Sequence, residues 1–523
     1  MSNLNLSKNG REKRDMDFSE IFDALAMRFP VCMASDEFHF FPQARARAFD
    51  WSLWDDFSKG ALAGTVAQLK EWERQLDIPA KQLLPTDQEI DSAMTGRVLR
   101  TLREQFEFVR PQETQPTFYL TIIGIGLAEA MEAGPGAMAE RSNNLPGFVD
   151  QAMQHLTHIP RLFRKLGMKM LAEQQKWVNS LSLPREFSAP ILNSLRRFGE
   201  HLHHAEEIDG FLPDVELYER IATQHMGCRI KPEEIARELE TEIEETQSIL
   251  IRSAAAIAPN RSWQAIVNDL PRPELPPGGI LEVYRGAIAE LSRHCLSNRM
   301  IPEKLVEECP VRVETIPEYM RPVRSNAAYS MPPVYPPLGG TFFIQEAESS
   351  DTLPADYRLL TAHETFPGHH LLDTYRWRQK RPARRHIEFP IFYEGWASFA
   401  EELMFETGLF SGKVDQMLMA KRRFWRAVRG KVDFDIHMRY RTLDQAADYL
   451  MMQGMAPARA GALVRRYSLK PGYQLAYTIG RRRFRDLYIA YPQEKGPVSF
   501  ARRVLASGEI GFDHLEQVLR QGG

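Results

Sequence analysis

Residues 361–373 read TAHETFPGHHLLD. A His-Glu-x-x-His helix turns ~100° per residue, so its two histidines, four steps apart, share a face about 6 Å apart along the axis and can hold one ion. Here the place four steps after His363 is Pro367, which cannot donate an N–H to the His363 carbonyl. The turn that would carry a metal is therefore opened. Gly368 makes a bulge or widened turn cheap, and such a bulge brings His369 to the second ligand position. On a regular helix His369 falls at ~600° and faces away, whereas His370 returns to the same face but ~10 Å along the axis. His369 is the expected ligand, with His370 as competitor or supporting group. The bland alternative is a helix-ending Pro-Gly followed by exposed histidines.

A third ligand is expected from FYEGWASFAEE, where Glu394 opens a helical run. Two turns on, Glu401 or Glu402 is placed to orient a histidine through its other ring N–H. His363, His369 and Glu394 would leave the fourth position of a tetrahedral zinc for water, the mark of a catalytic site. Glu364 is then the general base that takes the proton from that water. The set tolerates several divalent ions, so zinc, as one ion, is the expectation rather than a unique choice.

Around this motif the chain reads as mainly α. GRVLRTLREQFEFV, PEEIARELETEIEETQSILIRSAAAI and LEVYRGAIAELSRHCL carry apolar residues at three-and-four spacing, and Pro232 followed by Glu233 and Glu234 opens a helix. The exception is 326–345, NAAYSMPPVYPPLGGTFFIQ, whose prolines and glycines forbid a helix and whose TFFIQ predicts a short strand. From about 355 onward the pattern is helical again. FYLTIIGIGLA, 118–128, is too short for a bilayer, which needs ~20 residues, and predicts a core helix. HFFPQARARAFDWSLWDDFSKG predicts an aromatic-rich loop without chemistry of its own.

The 523 residues carry Lys+Arg 66 against Asp+Glu 69, a formal net charge of -3. No global field points to nucleic acid or an anionic membrane. Cys32, Cys228, Cys295 and Cys309 lack CxxC spacing, which argues for buried thiols. The polar start MSNLNLSKNGREKRDMD has no signal-peptide stretch, so a cytoplasmic protein with a flexible arm over 1–17 is expected. The rest divides into a helical part, 18–310, and a metal-binding part, 311–523, integrated as one unit. Oligomeric state is not legible.

Other constellations are weaker. GEHLHHAEEIDG (199–210) contains Glu200 and His203 in ExxH spacing but has no second such motif, so it reads as a charged surface helix. IGIGLAE lacks the third glycine of a dinucleotide loop. KRRFWRAVRG places Phe424 and Val428 on a buried stripe with its arginines outside.

HETFPGHH, EGWASFAEE, VDFDIH and KPGYQLAYTIG, in that order, resemble a widespread bacterial family of unknown function with HExxPGHH and EGW motifs. That family is grouped with the thermolysin-like zincins (gluzincins), near carboxypeptidase Taq and the oligopeptidases. FPQARARAFDWSLWDDFS and LPDVELYERIATQHMGCRIKPEEIARELE are similar to its outer segments, so the likeness covers most of the chain. It implies a large helical fold with a deep cleft, His363, His369 and Glu394 as ligands, and Glu364 as base. It also implies an edge strand in GGTFFIQ, with Phe342 and Phe343, holding an extended substrate beside the metal helix. His437 and Tyr477 become candidates to steady an oxyanion, and Arg481 to meet a substrate carboxylate. Where the family often has Leu-Gln after PGHH, this chain has Leu371, Leu372 and Asp373, which leaves the ligands intact but not the substrate preference. The activity implied is zinc-dependent cleavage of an amide bond in a short peptide or amino-acid-derived molecule. A metal-dependent lyase or tailoring enzyme, or a non-catalytic metal or peptide binder, would use the same residues.

Overall fold

Helix starts follow the local chemistry of the chain. Thr86 and Glu89 cap the helix Asp87–Glu104 reciprocally, the Thr86 hydroxyl accepting from Glu89 N at 3.3 Å and the Glu89 carboxylate from Thr86 N at 2.7 Å. Thr442 and Gln445 repeat the device for Leu443–Met452. Each cap satisfies backbone N–H groups that a helix start leaves open, worth about 1 kcal/mol. The helix Pro232–Ile257 begins at the proline, with Glu233 and Glu234 in its first turn. The computed structural model describes residues 17–76, 86–227, 230–321, 327–345 and 353–521, so the arm expected over 1–17 lies almost wholly outside the described residues, as does Cys228.

The protein is mainly helical, with two small sheets among the described residues. FYLTIIGIGLA lies inside the helix Pro116–Ala133, and every residue of that stretch is buried. No described helix is long and apolar enough to cross a membrane. One apolar core runs from Ile21 to Leu519, drawing on residues either side of position 310. Cys32, Cys295 and Cys309 are buried free thiols.

Two helix pairs frame the region around His363. Pro390–Glu406 lies along Leu475–Ala490, and Pro232–Ile257 lies along Lys413–His437. Gly430 permits the second pairing, since a Cβ there would meet Leu239 Cδ2 at 2.8 Å. Phe424 and Val428 are buried as the periodicity predicts. The arginines around them, expected outside, turn inward instead: Arg423 pairs with Glu242 at 2.7 Å, and Arg422 and Arg426 are enclosed with Glu401. Carboxylates on neighbouring helices make that burial tolerable, and periodicity alone does not reveal them.

The three-stranded sheet runs Val311–Thr315, Gly340–Ile344, Ala327–Ser330, the first pair parallel and the second antiparallel. GGTFFIQ therefore supplies the middle strand, not the edge expected of it, and cannot add a substrate strand to its ladder. Its partner Ala327–Ser330, which the sequence did not reveal as a strand, is an edge. Tyr329 from that edge lies over Gly340, where a Cβ would come within 1.9 Å of the phenol oxygen. The other sheet pairs His158–Pro160 with Glu206–Ile208, directly after the helix Arg185–His204. His201 there is hydrogen-bonded to the Leu156 carbonyl at 2.8 Å, and His204 to that of Glu200, which fits the surface reading of GEHLHH.

Candidate metal centre

The HETFPGHH segment folds as two helices, not as one helix with a bulge. Tyr357–Glu364 ends at the glutamate, and His369–Trp377 begins at the second histidine. Between them the Phe366–Pro367 peptide is cis. The Gly368 N–H donates to the Ala362 carbonyl at 3.0 Å, folding the link back across the helix end. A Cβ on Gly368 would stand 1.8 Å from the His363 carbonyl oxygen, so only glycine fits this crossing. The imidazoles of His363 and His369 thereby meet with ring centroids 4.7 Å apart.

Glu394 arrives from the helix Pro390–Glu406, and its Oε2 stands 3.4 Å from Nε2 of each histidine. All three side chains are buried. The next residue but one, Trp396, donates its indole N–H to the Pro367 carbonyl at 2.9 Å, tying the EGW helix to the link between the histidines. Burial raises the Glu394 carboxyl, yet the two imidazoles more than offset this and hold it well below the usual range.

His370 is turned elsewhere. One ring nitrogen is hydrogen-bonded to the Tyr329 hydroxyl at 2.8 Å and the other to the Cys309 carbonyl at 3.0 Å, so it ties the helix to the edge strand. Burial lowers its pKa to about 3.

The surrounding groups orient this trio. Nδ1 of His363 is 3.1 Å from Glu401 Oε1, and Glu401 is held by two of the three Arg422 guanidinium nitrogens, at 2.9 and 3.0 Å, and by Arg426 at 2.6 Å. Of the two candidates for that task Glu401 performs it, while Glu402 pairs with Arg481 at 2.6 Å. Arg422 and Lys421 also reach Asp356, each at 3.1 Å, at the start of the His363 helix. On the far side, the Tyr473 hydroxyl donates to Glu394 Oε1 at 2.8 Å. Glu364 is buried beside the trio; burial pushes its carboxyl up to about 7, with His369 pulling it down and Glu394 adding to the rise.

Tyr477 belongs to the site. Its ring stacks 6.4 Å from that of His363, and burial together with the nearby Glu394 charge pushes its phenol well above the ordinary value. Three other expectations are corrected. His437 is enclosed, stacked on Tyr218 at 4.7 Å with Nδ1 2.9 Å from Asp433, which turns that nitrogen to its own helix. It braces the site from behind, because Asp433 accepts the N–H groups of Gly472 and Gln474, each at 3.0 Å, and so holds the loop carrying Tyr473. Arg481 is paired with Glu402 and Glu242, the latter at 2.5 Å, so its charge is already matched by two carboxylates. Phe342 packs edge-on against Tyr284 at 5.3 Å in the core, which removes it from substrate contact, and Phe343 points to the opposite face of the sheet. Sequence reasoning missed Arg422, Arg426 and Tyr473; the basic residues in KRRFWRAVRG were the available signal.

Do the residues present fit a cation? Tetrahedral bonds of 2.0–2.1 Å set neighbouring ligand atoms about 3.3 Å apart. The two 3.4 Å separations at Glu394 Oε2 match that figure. This oxygen is buried and has no hydrogen-bond partner, which a bound cation would remedy. Ligand atoms of His363, His369 and Glu394 all lie within 4.8 Å of one another. Asp373, Glu388 and Glu509 form another such group, but Arg376 already fills it, at 2.7, 3.3 and 3.5 Å from the three carboxylates.

Fold and site together define a mainly helical protein with a buried His-His-Glu centre on a broken helix. The chain belongs to the family described as "Bacterial protein of unknown function (DUF885)", whose model matches residues 45–519. Two solved structures share the fold. One is a "putative lipoprotein of unknown function" from Shewanella oneidensis, 17% identical, with a TM-score of 0.73 over 96% of this chain and 99% of that one. The other is a "putative lipoprotein" from Colwellia psychrerythraea, also 17% identical, with a TM-score of 0.75 over 97% and 99%. No curated protein matches the chain.

Proposed function

We propose that the protein is a zinc-dependent hydrolase that cleaves amide bonds in short peptides or amino-acid-derived molecules. One observation carries this reading: the unpartnered Glu394 Oε2 stands 3.4 Å from both Nε2 atoms, with a carboxyl poised near neutrality, Glu364, beside it. His363, His369 and Glu394 would hold the ion, which supplies Lewis acidity to a water and a carbonyl when bound. Glu364, at about 7, is matched to accept a proton from the attacking water and return it to the leaving amine. Glu401 fixes the His363 ring, and Tyr473 fixes Glu394. Membership of the thermolysin-like clan is part of this proposal, supported by the order HExxPGHH then EGW in the sequence.

A lyase or a silent binding protein would employ the same three ligands; the poised Glu364 favours turnover. The cytoplasm is not required. Neighbours described as lipoproteins point away from that expectation, and fractionation of cells carrying the native protein decides it.

Elemental analysis of protein purified without added metal is expected to find one zinc per chain, iron or manganese being the competing outcomes. Glu364→Gln is expected to keep that metal and to lose amide hydrolysis by roughly 10²–10⁴-fold, read as release of a new amine and carboxylate. Undiminished hydrolysis in that variant overturns the role of Glu364, and an unsaturated product from wild type overturns hydrolysis itself.

A further inference from the structure

Helix Lys413–His437 presents Arg422, Arg426 and Arg429 around the centre, and the carboxylates there do not suffice for all three. Arg422 is fully engaged by Glu401 and Asp356. Arg426 commits Nη2 to Glu401 and His363, while its Nη1 is buried without a hydrogen-bond partner. Arg429, one helical turn further on, has a buried Nε without a partner and, among the described residues, no carboxylate within ion-pair distance. The two guanidiniums lie over the same face-forming residue, 5.8 and 5.2 Å from the Tyr477 ring centre. The hydroxyl of Tyr467, a group electrostatically coupled to Arg429, is a further buried polar atom left unmatched. Tyr473, Tyr477 and Arg429 are half-buried, so they border space that solvent reaches.

Buried donors of one sign with no acceptor are costly to keep unless something arrives to use them. On this basis, and resting on the hydrolase reading above, we infer that the substrate carries a free carboxylate seated by Arg426 and Arg429 beside Tyr477. Guanidinium forks suit a planar carboxylate, which can accept two parallel N–H bonds. Ring separations of 5.2 and 6.4 Å laid end to end put Arg429 at most about 12 Å from the His363 ring, and an extended chain covers 3.3–3.6 Å per residue. The carboxylate therefore belongs one to three residues beyond the bond that is cut. This makes the substrate a short peptide trimmed near its C-terminus.

The test is calorimetric titration of metal-loaded Glu364→Gln protein with acetylated di-, tri- and tetra-alanine, each as free acid and as C-terminal amide. At least one free acid is expected to bind tenfold or more tighter than its amide. Adding Arg429→Gln should abolish that preference at unchanged metal content, and Arg429→Lys should restore part of it. Equal binding of acid and amide, a preference that survives Arg429→Gln, or no binding by any peptide overturns the inference. So does inorganic phosphate displacing the free acid as well as the acid itself binds, because the seat then belongs to phosphate esters. Hydrolysis by wild type is scored separately. If acids and amides are cut alike, only the carboxylate seat falls; if the acid preference holds while Glu364→Gln still turns over, only the catalytic reading falls.

Discussion

Gly395 and Gly480 stand backbone to backbone where the Glu394 helix crosses the Tyr477 helix. A Cβ at Gly480 would lie 2.0 Å from the Ile391 carbonyl oxygen and 2.6 Å from Gly395 Cα; a Cβ at Gly395 would meet the Gly480 backbone at 2.5 Å. No side chain occupies the crossing, so Glu394 and Tyr477, each next to or near a glycine in sequence, are brought to one place.

Gly480→Ala is accordingly expected to cost about 3 kcal/mol of stability, because a packed backbone cannot yield as a flexible side chain does. Zinc affinity should fall with it. Gly147→Ala, on a helix where an added Cβ meets nothing within 4 Å, is the control and should be neutral or stabilising. Denaturant unfolding of the two variants checks the contrast; equal effects would show that the crossing is loose.

His369→Ala and His370→Phe separate ligand from brace. The first is expected to lose bound metal with modest effect on folding of the metal-free chain. The second should keep metal while stability drops by about 2–4 kcal/mol, since the Tyr329 hydroxyl and Cys309 carbonyl both lose a buried partner. Metal content and urea midpoints of purified variants report both.

Glu401→Gln removes the charge that three guanidinium contacts and the His363 Nδ1 share. Metal affinity is expected to weaken by about 10–100-fold. Stability should drop by about 3–5 kcal/mol as well, because Arg422 and Arg426 remain buried without their partner. Competition with a calibrated chelator measures the first effect, and wild-type affinity in the variant would remove Glu401 from its orienting role.

Acid should weaken the fold through half-buried histidines whose rings are shielded from water. Burial lowers His39 to about 3 and His386 to about 4, against 6.5 in an unfolded chain. Their stabilising contribution is therefore complete above 6.5 and is lost as pH falls towards those folded values, by up to ~1.4 kcal/mol per pH unit for each. Asp55 works in the opposite sense: burial raises it to about 6, so its contribution is full below 3.8 and is lost as pH rises through 6. Substituting His39→Phe should flatten the acid limb of urea midpoint against pH, and an unaltered limb would show that His39 does not titrate on unfolding.

The sequence carried the helical class and the trio more clearly than their surroundings. HETFPGHH and EGW name all three residues of the cluster, and Pro367 with Gly368 announces that the helix cannot continue. How it stops was not legible, since a bulge and a full break are equally compatible with a proline and a glycine. Arg481 and His437 show the general limit. Whether an arginine meets a substrate or Glu242, and whether a histidine faces a carbonyl or Asp433, depends on partners some 240 residues away or on the other side of a helix turn. GGTFFIQ reads correctly as a strand, but its place in the middle of the sheet is set by Ala327–Ser330, whose short run gives little periodic signal.

One helix, Lys413–His437, reaches the centre on two flanks at once. Arg422 and Arg426 grip Glu401 from it, and two turns on Asp433 fastens the loop that delivers Tyr473. A displacement along its axis would detune the imidazole and the carboxylate together, leaving no way to adjust one without the other. The scaffold thus behaves as a single keel, and evolution or an engineer wishing to retune the His-His-Glu cluster gradually would have to begin elsewhere.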